Sequence, residues 1–231
     1  MTKIPNIDIP TFKETLPASK KEVIFRPFLV RERSVLLMAL QSADISSVIK
    51  AIKDLIKTCT FGKIDAEKIP LVDLEFLFIN IRNKSIGEGI DIIHTCDCGT
   101  GNELQVMMDK IDVIGGTDDN IQLSDQVWIK LNYPTIDDVS LLSAEPNEKE
   151  VLQIIANCID TIIAGEQVYK AVDSTKEELY EFILNLTQSQ LSKIETFFEN
   201  IPKIVVKFDY KCKSCGKDNH ETLQGLENFF D

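Results

Sequence analysis

The sequence predicts an α+β fold: a mainly helical module with an N-terminal β-hairpin and a ribbon-like β element formed by two distant cysteine turns. Three observations carry this expectation. Apolar residues recur at three- and four-residue steps through long stretches of the chain, the signature of helices with one buried face. They alternate instead over residues 7–29, which predicts strands. Two close cysteine pairs, Cys96/Cys98 and Cys212/Cys215, each lie at the end of an alternating stretch and are followed directly by glycine.

Taken in order, Ile9, Phe12, Val23, Phe25 and Phe28 alternate about the turn-like Pro17-Ala18-Ser19-Lys20-Lys21, so residues 1–30 read as a hairpin. Residues 31–85 read as a helical segment. Its first helix enters at Arg31-Glu32-Arg33-Ser34 and runs to about Gln41. Asp44 is placed to cap a second, whose Ile45, Val48, Ile49, Ile52, Leu55 and Ile56 form one apolar face. A third follows Pro70 with Leu71, Leu74, Phe76, Leu77, Phe78 and Ile81.

From Ile86 the period changes. Ile90, Ile92 and Ile93 lead into the first cysteine turn, and Leu104, Val106 and Met108 lead away from it. The Gly115–Asn120 stretch reads as an exposed turn with Asp118 and Asp119 solvated, and Val127, Ile129 and Leu131 as a strand. Thr135 opens a short helix through Leu142. After Pro146 a helix is predicted to carry Val151, Ile154, Ile155, Cys158, Ile159, Ile162 and Ile163 on one stripe. Ser174 with Glu177 makes a capping box for the next helix, and Ser189 caps the last. Residues 111–202 are therefore expected to be an inserted, mostly helical subdomain. A strand over Ile204–Phe208 enters the second cysteine turn, and Leu223, Leu226, Phe229 and Phe230 follow as an apolar anchor. Residues 86–110 and 203–231 would together build the ribbon, within one compact unit spanning 1–231.

The net charge of −12 argues against broad adhesion to nucleic acid or anionic membrane and points to a protein partner. No apolar run approaches the roughly 20 residues of a membrane span, and the opening Met1-Thr2-Lys3-Ile4-Pro5 has no signal-peptide pattern, so an intracellular protein is expected. Six cysteines in a chain of 231 residues are too few for a disulfide-dense secreted module, and two close pairs suit metal binding in a reducing compartment.

A tight turn can aim two thiolates at one ion, and four thiolates complete the tetrahedral shell of structural Zn²⁺. Cys96, Cys98, Cys212 and Cys215 are accordingly the expected ligands, with glycine behind each pair permitting the turn. Cys96-Asp97-Cys98 is one residue shorter than the common knuckle. That leaves three readings open: one zinc ion, reduced cysteines at turns that have lost their metal, or redox chemistry. His94 and His220 flank the pairs as secondary candidates. Cys59 and Cys158 lie in apolar helical contexts and read as core thiols. A closed four-thiolate site leaves no position for substrate. The sequence also holds no Gly-x-x-x-x-Gly-Lys-Ser/Thr, His-Glu-x-x-His or Gly-x-Ser-x-Gly motif, so no enzyme is expected. Lys211, Lys213 and Lys217 form a small basic spot that could touch a phosphate.

Several stretches resemble the T4-like bacteriophage baseplate protein family. They are Phe25-Arg26-Pro27-Phe28-Leu29-Val30-Arg31-Glu32, Asp73-Leu74-Glu75-Phe76-Leu77-Phe78 continuing through Ile81-Arg82-Asn83-Lys84-Ser85-Ile86-Gly87-Glu88, the two cysteine turns, and Leu223-Gln224-Gly225-Leu226-Glu227-Asn228-Phe229-Phe230. The resemblance implies a tail-morphogenesis role in the infected bacterial cytoplasm, as a baseplate-hub component or a hub-assembly factor contacting other baseplate or hub proteins. It supplies no catalytic residues. Two other readings compete: a redox-controlled zinc chaperone, in which oxidation of the thiolates ejects the metal, and a nucleic-acid-binding zinc ribbon.

Overall fold

The computed structural model describes residues 7–42, 44–108, 111–143 and 145–225. In chain order the elements are β1 (Phe12–Thr15), β2 (Glu22–Phe25), α1 (Val30–Gln41), α2 (Ile45–Cys59), α3 (Leu71–Ile86), β3 (Gly89–Thr95), β4 (Gly101–Met107), β5 (Asp112–Ile114), β6 (Asn120–Gln122), β7 (Val127–Leu131), α4 (Ile136–Val139), α5 (Glu148–Asn157), β8 (Ile159–Ala164), β9 (Gln167–Lys170), α6 (Lys176–Leu184), α7 (Gln188–Glu199), β10 (Lys203–Lys211) and β11 (Asp218–Gln224). They fall into two compact units. The first comprises the described parts of Met1–Ala66, Val72–Val113 and Ile204–Asp231; the second, Glu67–Leu71 and Ile114–Lys203. No described helix is long and apolar enough to cross a membrane.

In the first unit, β1 and β2 form the expected hairpin, paired from Phe12↔Phe25 to Thr15↔Glu22. Its turn is fastened by a residue that hydropathy alone does not single out. Asp73 on α3 is fully buried, and its carboxylate accepts the backbone N–H groups of Ala18 at 2.7 Å and Ser19 at 2.9 Å. A buried carboxylate survives only when paired in this way. The chain leaves β2 through Arg26, whose guanidinium makes a two-pronged contact with Glu32 in the first turn of α1, at 2.9 and 2.7 Å. Glu32 also accepts the Leu29 N–H at 2.7 Å, closing the start of that helix. Asp44 caps α2 as expected, accepting from Ser46 and Ser47, and Ala51, Ile52, Leu55, Ile56 and Cys59 form its buried face.

The end of α3 roots the cysteine hairpins. Arg82 donates to the Gly87 and Gly89 carbonyls at 2.7 and 3.1 Å, and Asn83 donates to the Met108 carbonyl at 2.8 Å, so both ends of the β3–β4 hairpin hang from one helix. Phe28 N–H donates to Ser85 Oγ at 2.9 Å, joining two of the stretches that carry the family resemblance. β10 lies between β11 and β5 in a three-stranded sheet. Leu223 lies half-buried on β11, whereas Leu226, Phe229 and Phe230 of the expected anchor lie outside the described residues.

The second unit corrects the expectation of a mostly helical insertion, and with it the mainly helical description of the whole. Residues 120–170 supply a four-stranded antiparallel sheet of order β6-β7-β8-β9, which shares a core with α5, α6 and α7 through Ile129, Leu131, Ile155, Ile159, Ile162, Leu179, Ile183, Ile194 and Phe197. The helix expected to run through Ile163 stops at Asn157, Cys158 is its cap, and Ile159–Ala164 is a strand. Ile154, Ile155, Ile159, Ile162 and Ile163 satisfy a helical period, but β-branched residues from Ile159 to Ile163 favour the strand. Gly165, with φ +60°, then allows the two-residue turn into β9.

Two caps also fall one or two positions from those predicted. Thr175 with Glu178 caps α6, and Thr187 with Gln190 caps α7. Replacing Thr187 with alanine is expected to cost about 1 kcal/mol, read from a urea unfolding curve.

Candidate metal centre

Each cysteine pair sits at the tip of a hairpin. β3 and β4 pair from Gly89↔Met107 to Thr95↔Gly101, and β10 and β11 from Val205↔Gln224 to Lys211↔Asp218. The two tips close by the same plan. Cys96 N–H donates to the Thr100 carbonyl at 3.0 Å and Cys212 N–H to the Lys217 carbonyl at 2.9 Å. Gly99 N–H donates back to the Cys96 carbonyl at 2.7 Å, a β-turn, and Gly216 N–H to the Cys212 carbonyl at 3.0 Å, an α-turn. The residue missing from Cys-x-Cys is thus absorbed by a tighter turn. Gly99 and Gly216 have φ of +82° and +72°, a conformation that penalises residues with a Cβ.

The four Sγ atoms all lie within 4.8 Å of one another. Cys96 and Cys215 sulfurs are 3.8 Å apart, and Cys98 and Cys212 sulfurs 3.7 Å, so the closest approaches join opposite knuckles. Sulfurs at the corners of a tetrahedron with Zn–S bonds of about 2.3 Å are separated by about 3.8 Å. A disulfide would need about 2.05 Å, and all four are free thiols. Cys96 and Cys212 are buried while Cys98 and Cys215 face solvent. Beneath the buried pair, Leu104 and Phe208 pack against Cys96, Tyr210 and Cys212 as an apolar floor. Four soft donors at this spacing fit one Zn²⁺ and leave no open coordination position.

The electrostatics of the cluster are those of sulfurs too close to share negative charge unaided. Cys212 is lowered to about 6, chiefly by the backbone N–H groups of Cys215 and Ser214 that point at its sulfur. Cys98 is lowered, first by the Thr100 hydroxyl, whose Oγ1 lies 3.4 Å away. The Lys217 backbone N–H pulls Cys215 down, but the neighbouring Cys98, Cys212 and Cys96 sulfurs outweigh it and leave Cys215 up at about 11. A divalent cation would relieve this competition.

The structure places the remaining candidates outside the cluster. His94 Nδ1 lies 2.9 Å from the Tyr210 hydroxyl and the ring packs edge-on to Phe208 and Tyr210. His220 Nδ1 lies 2.7 Å from Asp209 Oδ1 across the strand pair. Cys59 is buried beside Arg26, with burial pushing its thiol up to about 12, and burial also raises Cys158. Lys217 is engaged by Asp97 of the opposite knuckle, an ion pair that bridges the two tips at the surface. This contact raises Lys217 and lowers Asp97, and it occupies one member of the expected basic spot.

Two buried asparagines were not read from the sequence. Asn102 on β4 and Asn219 on β11 are 2% and 6% exposed, and both touch the cysteine cluster. Their signal is a short repeat: Cys98-Gly99-Thr100-Gly101-Asn102 and Cys215-Gly216-Lys217-Asp218-Asn219 are both Cys-Gly-x-x-Asn.

Comparison with known proteins adds a second line of information. The family model described as T4 bacteriophage base plate protein matches residues 9–231. The chain is 24% identical over 221 residues to the baseplate hub assembly protein gp26 of Enterobacteria phage T4, covering 95% of this chain and 98% of that protein. No solved structure matches it.

Proposed function

The chain belongs to the T4 bacteriophage base plate protein family, and from that premise we propose that it is a non-enzymatic hub-assembly factor that works through contacts with other baseplate or hub proteins. The match along almost the whole chain carries this reading. It is supported by the printed role of the T4 relative, which is a hub assembly protein. In this reading the protein acts in the host bacterial cytoplasm while the tail is built, and its partners are neither nucleic acid nor membrane. The net charge of −12 favours that choice of partner.

The proposal includes a structural Zn²⁺ held by Cys96, Cys98, Cys212 and Cys215. When bound, the ion would supply four bonds that tie the β3–β4 tip to the β10–β11 tip and make residues 86–110 and 203–231 a zinc ribbon. The chain's own residues do the rest: Gly99 and Gly216 shape the turns, Asp97 and Lys217 bridge them, and Leu104 with Phe208 keeps water from the inner sulfurs. Segment 111–202 is then an inserted subdomain of a chain that works as one unit. Because the ligand set is closed, the metal's part is to hold shape.

Affinity purification of tagged protein from infected cells, set against the composition of finished virions, tests the function. The assembly-factor reading expects hub proteins to co-purify and the chain to be missing from virions. Retention in virions would make it a hub component instead. Absence from virions together with no hub protein in the purified complex would contradict the baseplate reading.

A further inference from the structure

We propose that Asn102 and Asn219 are the positioning residues of the metal centre, each rooted in its own knuckle and reaching the first cysteine of the other. The inference rests on the reading of the cluster as a metal centre. Asn102 donates from Nδ2 to the Thr100 carbonyl at 2.9 Å, two residues behind it, and the same nitrogen lies 3.8 Å from Cys212 Sγ. Its Oδ1 accepts the Lys213 N–H at 2.9 Å, so one amide holds both the sulfur and the backbone of the opposite tip. Asn219 repeats the plan. Its Nδ2 donates to the Lys217 carbonyl at 3.0 Å, again two residues behind, and its Oδ1 lies 3.8 Å from Cys96 Sγ.

The two contacts are reciprocal: the first hairpin steadies Cys212, the second steadies Cys96, and these are the two buried sulfurs. A carboxamide suits both places because it carries a double donor and an acceptor on one short, rigid stem. Aspartate has the same shape without the donor and would add negative charge beside the thiolates. Leucine would leave the Thr100 or Lys217 carbonyl and the Lys213 N–H short of a partner in a dry place. The register fixes both amides to the interior, since Asn102 pairs with His94 and Asn219 with Tyr210, whose side chains meet on the same inner side. Cys-Gly-x-x-Asn is therefore a unit of sequence in which the cysteine supplies a ligand and the asparagine aims the ligand of the neighbouring unit.

The test uses the full chain, reduced and loaded with either Zn²⁺ or Co²⁺, comparing Asn102→Asp and Asn219→Asp with the exposed β4 control Glu103→Gln. Zinc affinity is read by competition with a chromogenic chelator, and ligand geometry by the visible bands of the cobalt form. Groups that orient metal ligands typically contribute about 10–100-fold in affinity, so each asparagine variant is expected to bind zinc that much more weakly and to shift the cobalt bands, with the control unchanged. If an aspartate variant does not fold, Asn102→Ser and Asn219→Ser, too short to reach the opposite tip, give the same reading. Native cobalt bands and native affinity in the asparagine variants would overturn the inference. Failure of the unaltered chain to bind either metal would instead overturn the metal centre itself.

Discussion

Replacing Cys212 with serine is expected to release the metal and unfold the first unit's ribbon, the largest effect of any single substitution considered. Cys212 is buried, lies 3.7 Å from Cys98 Sγ, and receives the Ser214 and Cys215 backbone N–H groups that hold its thiol at about 6. A hydroxyl there is a poor ligand for zinc, and three sulfurs cannot fill the shell. Structural zinc sites contribute about 10–16 kcal/mol of apparent binding energy to the folds that need them, and loss of such a metal belongs among changes above about 4–5 kcal/mol. The expected result is metal content falling from about one ion per chain to near zero, with a large drop in Tm. Cys215→Ser should do the same. Cys59→Ser is expected to lower stability but keep the ion, because Cys59 lies outside the cluster. Equal metal loss from all three would contradict the ligand assignment.

The second large effect is expected at Arg26. Its side chain and that of Glu32 are 9% and 12% exposed, and the pair is two-pronged. Removing one partner leaves a buried charge alone, which costs about 3–5 kcal/mol, whereas replacing both with apolar residues of similar size is close to neutral. Arg26→Met is thus expected to be strongly destabilising, and Arg26→Met combined with Glu32→Leu to recover much of the loss, apart from the Leu29 N–H that Glu32 also satisfies. The pH dependence has a defined sign. The Arg26 hydrogen bond holds the Glu32 carboxyl below its ordinary 4.5, so this stability is complete above about pH 4.5 and is lost as pH falls through the lower folded value. Chemical denaturation at pH 7 and at pH 3 should show the gap between the native chain and Arg26→Met narrowing in acid. A gap that stays constant would mean that the pair is not what Arg26 contributes.

The cysteine cluster was legible in the sequence because metal chemistry constrains residue type and spacing so tightly that two pairs followed by glycine suffice, even with residues 99–211 between them. The helices α2 and α3 were legible for a similar reason: Asp44 and Pro70 mark starts, and the apolar spacing beyond them is long and regular. Ile159–Ala164 misled because five isoleucines fit a period of 3.6 as readily as a buried strand, and only the β-branching and the Gly165 turn separate the two. Arg26, Asp73, Asn102 and Asn219 were invisible to hydropathy. Each is a polar residue buried by its partners, and the partners of Asp73, Asn102 and Asn219 lie far away in sequence. The asparagines alone left a trace, in a repeat only five residues long. Two of the family-like stretches acquire a physical meaning here, since Phe25–Glu32 and Ile81–Glu88 contain the Arg26–Glu32 pair, the Phe28–Ser85 contact and the Arg82 and Asn83 bonds that root the β3–β4 hairpin.

The central claim is that two knuckles distant in sequence share one ion. Metal analysis and native mass spectrometry of the reduced full chain, purified without chelator, test it most directly. The account predicts about one zinc per chain, lost when a strong chelator is added and accompanied by loss of folded structure in the ribbon. A chain that purifies folded and metal-free, and whose melting temperature does not change when zinc is added, would contradict it.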